Sequence, residues 1–354
     1  MGIDKKLWKG KRVIVTGHTG FKGAWLSLVL HELGAQVYGI SLPVVKSRSL
    51  FSDAKIAELL NQEFIQDIRD LEKFAKIINE VKPDYIFHLA AQSLVHESVV
   101  DPIGTISTNV IGTSNLIFEA LKYADLLGIT VATTDKVYDN DESETSFKEN
   151  DKLGGNDPYS ASKSAAEFVT RSMAISSNPY QIPVVTVRAG NVIGGGDWAA
   201  NRLIPDIIRA MESNTILKVR NKNANRPFQH VLDCLIGYLL VAQAHISKKS
   251  LRIFDSYNFG PEKSMSVLET IDRVSMIIGY KPQIIEIKAT FKENTRLHLD
   301  NTKAKIELDW LPCYSPEESV ELVALWYLNY LKGEQPRNLM FNDLLKFKGF
   351  TDAM

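Results

Sequence analysis

Cysteine is nearly absent. Cys234 and Cys313 are the only two, and neither belongs to a CxxC pair or a His/Cys cluster. That excludes a disulfide framework, offers no zinc or other metal site, and fits the reducing cytoplasm. Long apolar runs are missing as well: none reaches the ~18 residues of a membrane span. The segment Met1 to Lys11 is charged and lacks the apolar stretch of a signal peptide. An excess of one charge sign is also lacking, since 41 Lys and Arg face 42 Asp and Glu. With no long basic block, nucleic acid is not the expected partner. No internal repeat or low-complexity stretch interrupts the chain.

What is present is a regular alternation. Short apolar runs at Arg12 to Thr16, Gln36 to Ile40, Asp84 to Leu89, Ile129 to Thr134 and Pro183 to Arg188 read as strands. Helical patterns lie between them at Trp25 to Leu33, Leu71 to Val81, Thr105 to Ala124 and Ser160 to Ser176. This order predicts an α/β fold: a Rossmann-type, doubly wound parallel sheet with helices on both faces. After Arg188 the pattern loosens and glycines cluster at Gly194-Gly195-Gly196, as in a smaller C-terminal α/β substrate-binding region. Leu232 to His245 reads as a helix returning to the sheet. The two parts are therefore expected to interleave, with 1–188 and 231–256 on the sheet side and 189–230 and 257–354 on the substrate side. The last ~15 residues carry an apolar spacing suited to covering a surface or a partner chain.

The first strand runs into Gly17-His18-Thr19-Gly20-Phe21-Lys22-Gly23 and then into a helix. A glycine at the strand end allows the tight turn, and another lets a pyrophosphate approach the helix N-terminus. The third allows close packing of helix and strand. Gly17, Thr19, Gly20, Phe21, Lys22 and Gly23 are thus candidates for holding a dinucleotide. The next strand ends Gly39-Ile40-Ser41, without the acid that would bind ribose hydroxyls. Lys46 and Arg48 nearby leave a 2′-phosphate open. Asp67, followed by Ile68, either meets an adenine amine or is a loop aspartate capping a helix.

Tyr159 and Lys163 stand four residues apart at the start of a helix, hence on one face. An ammonium beside a phenol lowers its pKa and lets it act as a base. Thr134, Asp135 and Lys136 lie at the end of a strand, where ligands of parallel sheets bind. Thr134 can hydrogen-bond a sugar hydroxyl, and Asp135 and Lys136 set an acid beside a potential base.

With these motifs in hand, the chain resembles the extended short-chain dehydrogenase/reductase family. The likeness runs through Leu89-Ala90-Ala91-Gln92, Tyr159 and Lys163. Within that family it looks like the CDP-glucose 4,6-dehydratases. The stretches that carry this are the glycine turn, Thr134 to Tyr138, Asp157 to Ser160, Arg188 to Trp198, Arg202 to Asp206 and Arg226 to Val231. The resemblance implies bound NAD and a nucleotide-diphosphate sugar, with CDP-glucose favoured. It implies work in deoxysugar biosynthesis, such as that of lipopolysaccharide O-antigen. It also implies a homodimer or homotetramer paired through the helices at 105–124 and 160–176. By the same likeness Tyr159 takes the 4-hydroxyl proton while hydride leaves C4 for the cofactor. Lys136, if neutral, takes the C5 proton, Asp135 protonates the departing 6-hydroxyl, and the hydride returns to C6. Leu89, Ala90, Ala91 and Gln92 fall on the cofactor side. Asn191, Arg202, Leu203, Arg226 and Arg296 fall on the substrate side, where arginine forks suit a diphosphate, though a surface ion pair is their other reading.

Two stretches depart from that pattern. Ser93-Leu94-Val95-His96-Glu97-Ser98-Val99 lacks an arginine and a tyrosine that the family carries, and Thr295-Arg296-Leu297-His298 replaces a His-Tyr-Leu-Lys pattern. The rival readings are a nucleotide-sugar epimerase or reductase of the same fold and, more remotely, a non-catalytic dinucleotide-binding regulator.

Overall fold

A computed structural model describes residues 2–44, 48–140, 146–249, 252–288 and 297–350. Seven parallel strands form its centre: β1 (Arg12–Thr16), β2 (Gln36–Ser41), β3 (Gln62–Ile65), β4 (Tyr85–His88), β5 (Ile129–Ala132), β6 (Val184–Ala189) and β7 (Phe254–Phe259). Their order across the sheet is β7-β6-β5-β4-β1-β2-β3. The chain order reverses beside β1, which opens a crevice at the carboxyl ends of the strands, where ligands of such sheets bind. The inner strands β1, β4, β5 and β6 are buried on both faces, as parallel strands covered by helices must be, while the edge strand β3 stays partly exposed. Along β1, Val13 and Val15 join one apolar core while Ile14 joins the other.

The helices that cover the sheet follow from local chemistry. Helix α1 (Phe21–Glu32) starts at Phe21, capped by Gly20, four residues before the apolar pattern predicts. Helix α2 (Leu71–Val81) is capped by Asp70, whose side chain accepts the Lys73 amide. The rod expected at 105–124 instead spans Pro102–Ile106, a π-helical stretch Ser107–Gly112, and Thr113–Ala120. It starts early because Asp101 accepts the Gly104 amide and Pro102 presets the first turn. It stops at Ala120 because the chain turns there, with the Tyr123 amide bonded to the Ala120 carbonyl. Helix α3 (Pro158–Ser176) has the same Asp-Pro entry, with Asp157 accepting the Ser160 amide at 3.0 Å.

Beyond β6 the chain leaves the sheet through α4 (Leu203–Glu212) and returns along α5 (Val231–Ile246), which is buried in the larger core. Two-stranded pairs join Leu217–Val219 to Ile284–Glu286 and Val192–Ile193 to Gln229–His230. Then come α6 (Val267–Ile278), α7 (Pro316–Leu331) and α8 (Pro336–Lys346). Of the two readings for the C-terminal segment, the structure shows it covering its own chain. Leu339, Met340 and Leu344 are buried, and Arg337 donates to the Ala54 carbonyl at 2.7 Å. No described helix is long and apolar enough to cross a membrane.

Candidate active site

A cleft of about 680 Å³ opens at the carboxyl ends of β1, β5 and β6. Phe21 and Lys22, in the first turn of α1, line one wall, and the turn from β1 that leads into them is shaped by close backbone contact. Gly17 has φ +74°, and a side chain there would meet the Ala90 amide nitrogen at 2.7 Å. A Cβ on Gly23 would lie 2.1 Å from the Gly17 carbonyl oxygen. Gly20 caps α1 without any side chain over the helix N-terminus. This bare, tightly held N-terminus fits a pyrophosphate, which free amides and the helix dipole attract. Thr19 bonds Ser41 at 2.7 Å, tying the turn to the end of β2. Leu89 and Ala90 continue β4 beside the turn, with the Ala90 amide on Thr16. Past Ala91, the Gln92 amide donates to Asn109 at 2.8 Å, and Asn109 in turn reaches Ser162 of α3.

Tyr159 and Asp135 line the floor of the cleft and are buried, as is Lys163 one helical turn beyond Tyr159. Thr134 caps the short turn Asp135–Val137 and donates to the Asp135 carboxylate at 2.9 Å. Lys136 Nζ lies 3.5 Å from that carboxylate and is one-third exposed. The expected pairing of phenol and ammonium differs in one respect. Lys163 Nζ donates to the Ala132 carbonyl at 2.9 Å, and burial, aided by the charge of Lys22, brings its pKa down to about 7. Burial pushes the Tyr159 hydroxyl up to about 12, against the opposing pull of its hydrogen bond to Thr134 and the charge of Arg202. Desolvation therefore outweighs the lowering that four-residue spacing alone suggests.

On the opposite wall, Arg202 donates to Asp197 at 2.7 Å at the start of α4, directly before Leu203. Asn191, Leu203 and Arg226 line the same wall. Arg296 and Lys46 lie outside the described residues. Lys22, half-buried in the first turn of α1, reaches the Tyr238 hydroxyl at 3.3 Å.

The scan against family models matches residues 14–323 to the family described as GDP-mannose 4,6 dehydratase. The chain belongs to this family. It is 41% identical over 341 residues to the CDP-glucose 4,6-dehydratase of Salmonella typhimurium, covering 94% of each chain. It is 26% identical to the dTDP-glucose 4,6-dehydratase of Haemophilus influenzae, over 89% of this chain and 97% of the relative. Among solved structures, the dTDP-glucose 4,6-dehydratase of Bacillus anthracis in complex with NAD superposes with a TM-score of 0.76. That match has 23% identity and covers 93% and 99% of the two chains. The UDP-glucose 4-epimerase of Thermotoga maritima with UDP-glucose gives 0.78 at 23% identity, covering 90% and 99%. These structural likenesses share the fold.

Of the two readings for Asp67, the structure excludes the helix cap, which Asp70 supplies. The partly exposed Asp67 carboxylate holds the Arg69 guanidinium at 2.6 Å and the Arg69 amide at 2.8 Å. Ile68 is buried against Gly112, where a Cβ would meet it at 2.6 Å. Arg48, considered for a 2′-phosphate, is engaged elsewhere. It forks onto Glu212 at 2.8 and 3.0 Å and lies 3.5 Å above the Trp198 ring.

Sequence reasoning also missed a buried support beneath the site. Glu167, one turn beyond Lys163 on α3, accepts from Thr133 at 2.6 Å, Thr186 at 2.7 Å and Arg188 at 2.9 Å. Arg188 reaches on to the Tyr138 hydroxyl at 2.8 Å. The available signal was Glu167's place on the Tyr159–Lys163 face, at an i+4 step from Lys163. His230 is a packed histidine, stacked edge-on to Trp25 and Tyr314, with its Nδ1 accepting the Leu232 amide.

Proposed function

We propose that the chain is a nucleotide-sugar 4,6-dehydratase that converts CDP-glucose to CDP-4-keto-6-deoxyglucose with NAD held in the glycine turn. The observation that carries this reading is the convergence of Tyr159, Thr134, Asp135 and Lys136 at one end of a single cleft. The 41% identity to a CDP-glucose 4,6-dehydratase supports the choice of substrate. The engagement of Arg48 by Glu212 and Trp198 favours a cofactor without a 2′-phosphate.

Bound NAD supplies a hydride acceptor that later returns the hydride. Tyr159 takes the proton of the sugar 4-hydroxyl, and Thr134 orients that phenol. A tyrosine pushed up to about 12 needs positive charge nearby to act as a base, and Arg202 already pulls it down. Lys163 holds its own place through Ala132 and binds the ribose side. Lys136, at the open edge of the floor, first passes its proton to Asp135 across their 3.5 Å contact, and as the neutral amine takes the proton from C5 once C4 is a ketone. Asp135, now protonated, delivers that proton to the 6-hydroxyl as it leaves as water. Asn191, Leu203, Arg202 and Arg226 hold the nucleotide diphosphate. The division of labour follows the two interleaved parts, with the sheet part carried to Phe259, where β7 ends.

A homodimer forms, in this reading, through the rod at 102–120 and α3. Ile103 is 75% exposed, Phe168 56% and Ile175 59%, an apolar face too continuous for a lone surface.

The test is to incubate purified protein with CDP-glucose and no added cofactor, and to follow mass. A product lighter by one water, absent with Tyr159→Phe, is the expected result. Product from a different nucleotide sugar would keep the chemistry and move the specificity. No dehydration of any nucleotide sugar would overturn the reading.

A further inference from the structure

The segment after β2 reaches across the molecule and grips the substrate wall. Arg48 lies 3.5 Å above the ring of Trp198 and 5.1 Å from that of Tyr330, while its fork closes on Glu212 at the end of α4. Two residues on, Leu50 fills the hollow over Gly196, where an added Cβ would meet Leu50 Cδ1 at 2.3 Å. Phe51 then touches the His18 ring edge-on at 5.2 Å, inside the glycine turn. Residues 48–51 therefore contact the turn before α4, the last turn of α4 and the glycine turn, all directly behind residues that line the cleft.

The gripped turn carries a functional side chain. Trp198 directly follows Asp197, whose Oδ2 accepts Arg202 at 2.7 Å and whose Oδ1 accepts the Ala199 amide at 3.1 Å. The Asp197 carbonyl accepts the Tyr327 hydroxyl at 2.6 Å, and the Trp198 ring packs against Tyr327 and Tyr330 at 5.1 and 5.5 Å. Arg209 of α4 donates to the Trp198 carbonyl at 3.0 Å. The path from Arg48 to Arg202 is thus a continuous chain of packed rings and hydrogen bonds. Trp198 and Glu212 mark the two ends of what it clamps: the turn before α4 and the last turn of α4 itself.

We propose that Arg48 is a positioning residue for substrate: by clamping Trp198 and Glu212 it fixes the turn from which Asp197 presents Arg202 to the nucleotide diphosphate. A planar guanidinium suits the task, because it can stack on an indole while its edge forks onto a carboxylate. Its neighbours Leu50 and Phe51 anchor the same segment independently, over Gly196 and against His18, so the loss of Arg48 alone leaves the glycine turn in place. The inference rests on the dehydratase reading for its turnover assay, but its binding readout does not.

The test compares Arg48→Ala, Arg48→Lys and wild type as full-length protein. Calorimetric titration with CDP, UDP and dTDP reads nucleotide binding directly. For the nucleotide that wild type binds best, Arg48→Ala should weaken binding about tenfold, or about 1.4 kcal/mol. KM should rise by a similar factor while kcat at saturation stays within about twofold, the pattern of lost substrate binding shared by ground and transition states. Arg48→Lys keeps a cation over Trp198 but not the fork, and should recover part of the loss. NAD affinity measured alone should stay within about twofold, the mark of a residue that does not touch the cofactor. Unchanged nucleotide affinity in Arg48→Ala, an equal loss of NAD affinity, or no nucleotide binding by wild type would overturn the proposal. Wild type that binds CDP but dehydrates no sugar would instead sink the dehydratase reading, with the Arg48 comparison still decided by titration.

Discussion

Replacing Glu167 by glutamine tests the support beneath the active site. Glu167 and Arg188 are both almost fully buried, and their side chains meet through two bonds of 2.9 Å. Burial alone would push the Glu167 carboxyl up, but the charge and bonds of Arg188 and the bonds from Thr133 and Thr186 hold it below the usual range. Glutamine keeps the shape but turns an NH2 toward an Arg188 N–H that can only donate, and leaves the guanidinium without a counter-charge. Breaking a buried pair from one side typically costs about 3–5 kcal/mol. At roughly 2 cal/mol/K of unfolding entropy per residue, that is a fall of about 5 °C in Tm for a chain of this size. The assay is scanning calorimetry at pH 7 of Glu167→Gln, Arg188→Met and the double variant. The double should fall by clearly less than the sum of the singles, since each single strands a charge that the double removes. The sign with pH is fixed by the lowered carboxyl. Its stabilisation is complete above the ordinary glutamate value and fades as pH drops through the folded-state value, so wild type and Glu167→Gln should converge in acid. Additive losses, or a gap that widens in acid, would refute the account.

Other perturbations separate the remaining parts. Gly23→Ala drives a methyl into the Gly17 carbonyl, and should lower stability by about 1–3 kcal/mol and abolish copurification of dinucleotide, read by denaturation and by ultraviolet absorbance of the extracted ligand. Lys163→Met removes an amine whose folded pKa of about 7 lies below its ordinary 10.5. The unfolded chain binds the extra proton between those values, so wild-type stability from this group rises with pH from about 7 to 10.5, and the variant should show a flatter profile in urea titrations. Phe168→Glu places a charge on the exposed apolar face, and should shift the solution mass toward a monomer by light scattering while leaving the far-ultraviolet circular dichroism unchanged.

What the sequence makes legible is what lies within a few residues. The glycine turn shows in the Gly17-Gly20-Gly23 spacing because the positive φ of Gly17 and the contacts of Gly20 and Gly23 with the Gly17 carbonyl lie inside one strand-turn-helix unit. Tyr159 and Lys163 share a face because the helical repeat requires it. Spacing does not say where an ammonium finds its acceptor. Lys163 turns to Ala132, on the strand beside it, and the depth that holds it there also raises the phenol it was expected to lower. Arg48 is the sharper case. Its place after β2 suggests a phosphate, since charge near that strand end is the local cue. Its partners Glu212 and Trp198 stand more than 140 residues away and meet it only because the chain beyond β6 brings the turn before α4 and the end of α4 back to Arg48. Glu167 and Arg188 fail for the same reason, on a shorter scale: helix and strand must first pack before their charges become a pair. In both cases the unread partner is a buried or stacked charge, and such a group needs its counterpart wherever the fold puts it. Unassigned arginines and glutamates beside a recognised motif are therefore the positions where the supporting contacts of a site are best sought, before further substrate contacts are assigned to them.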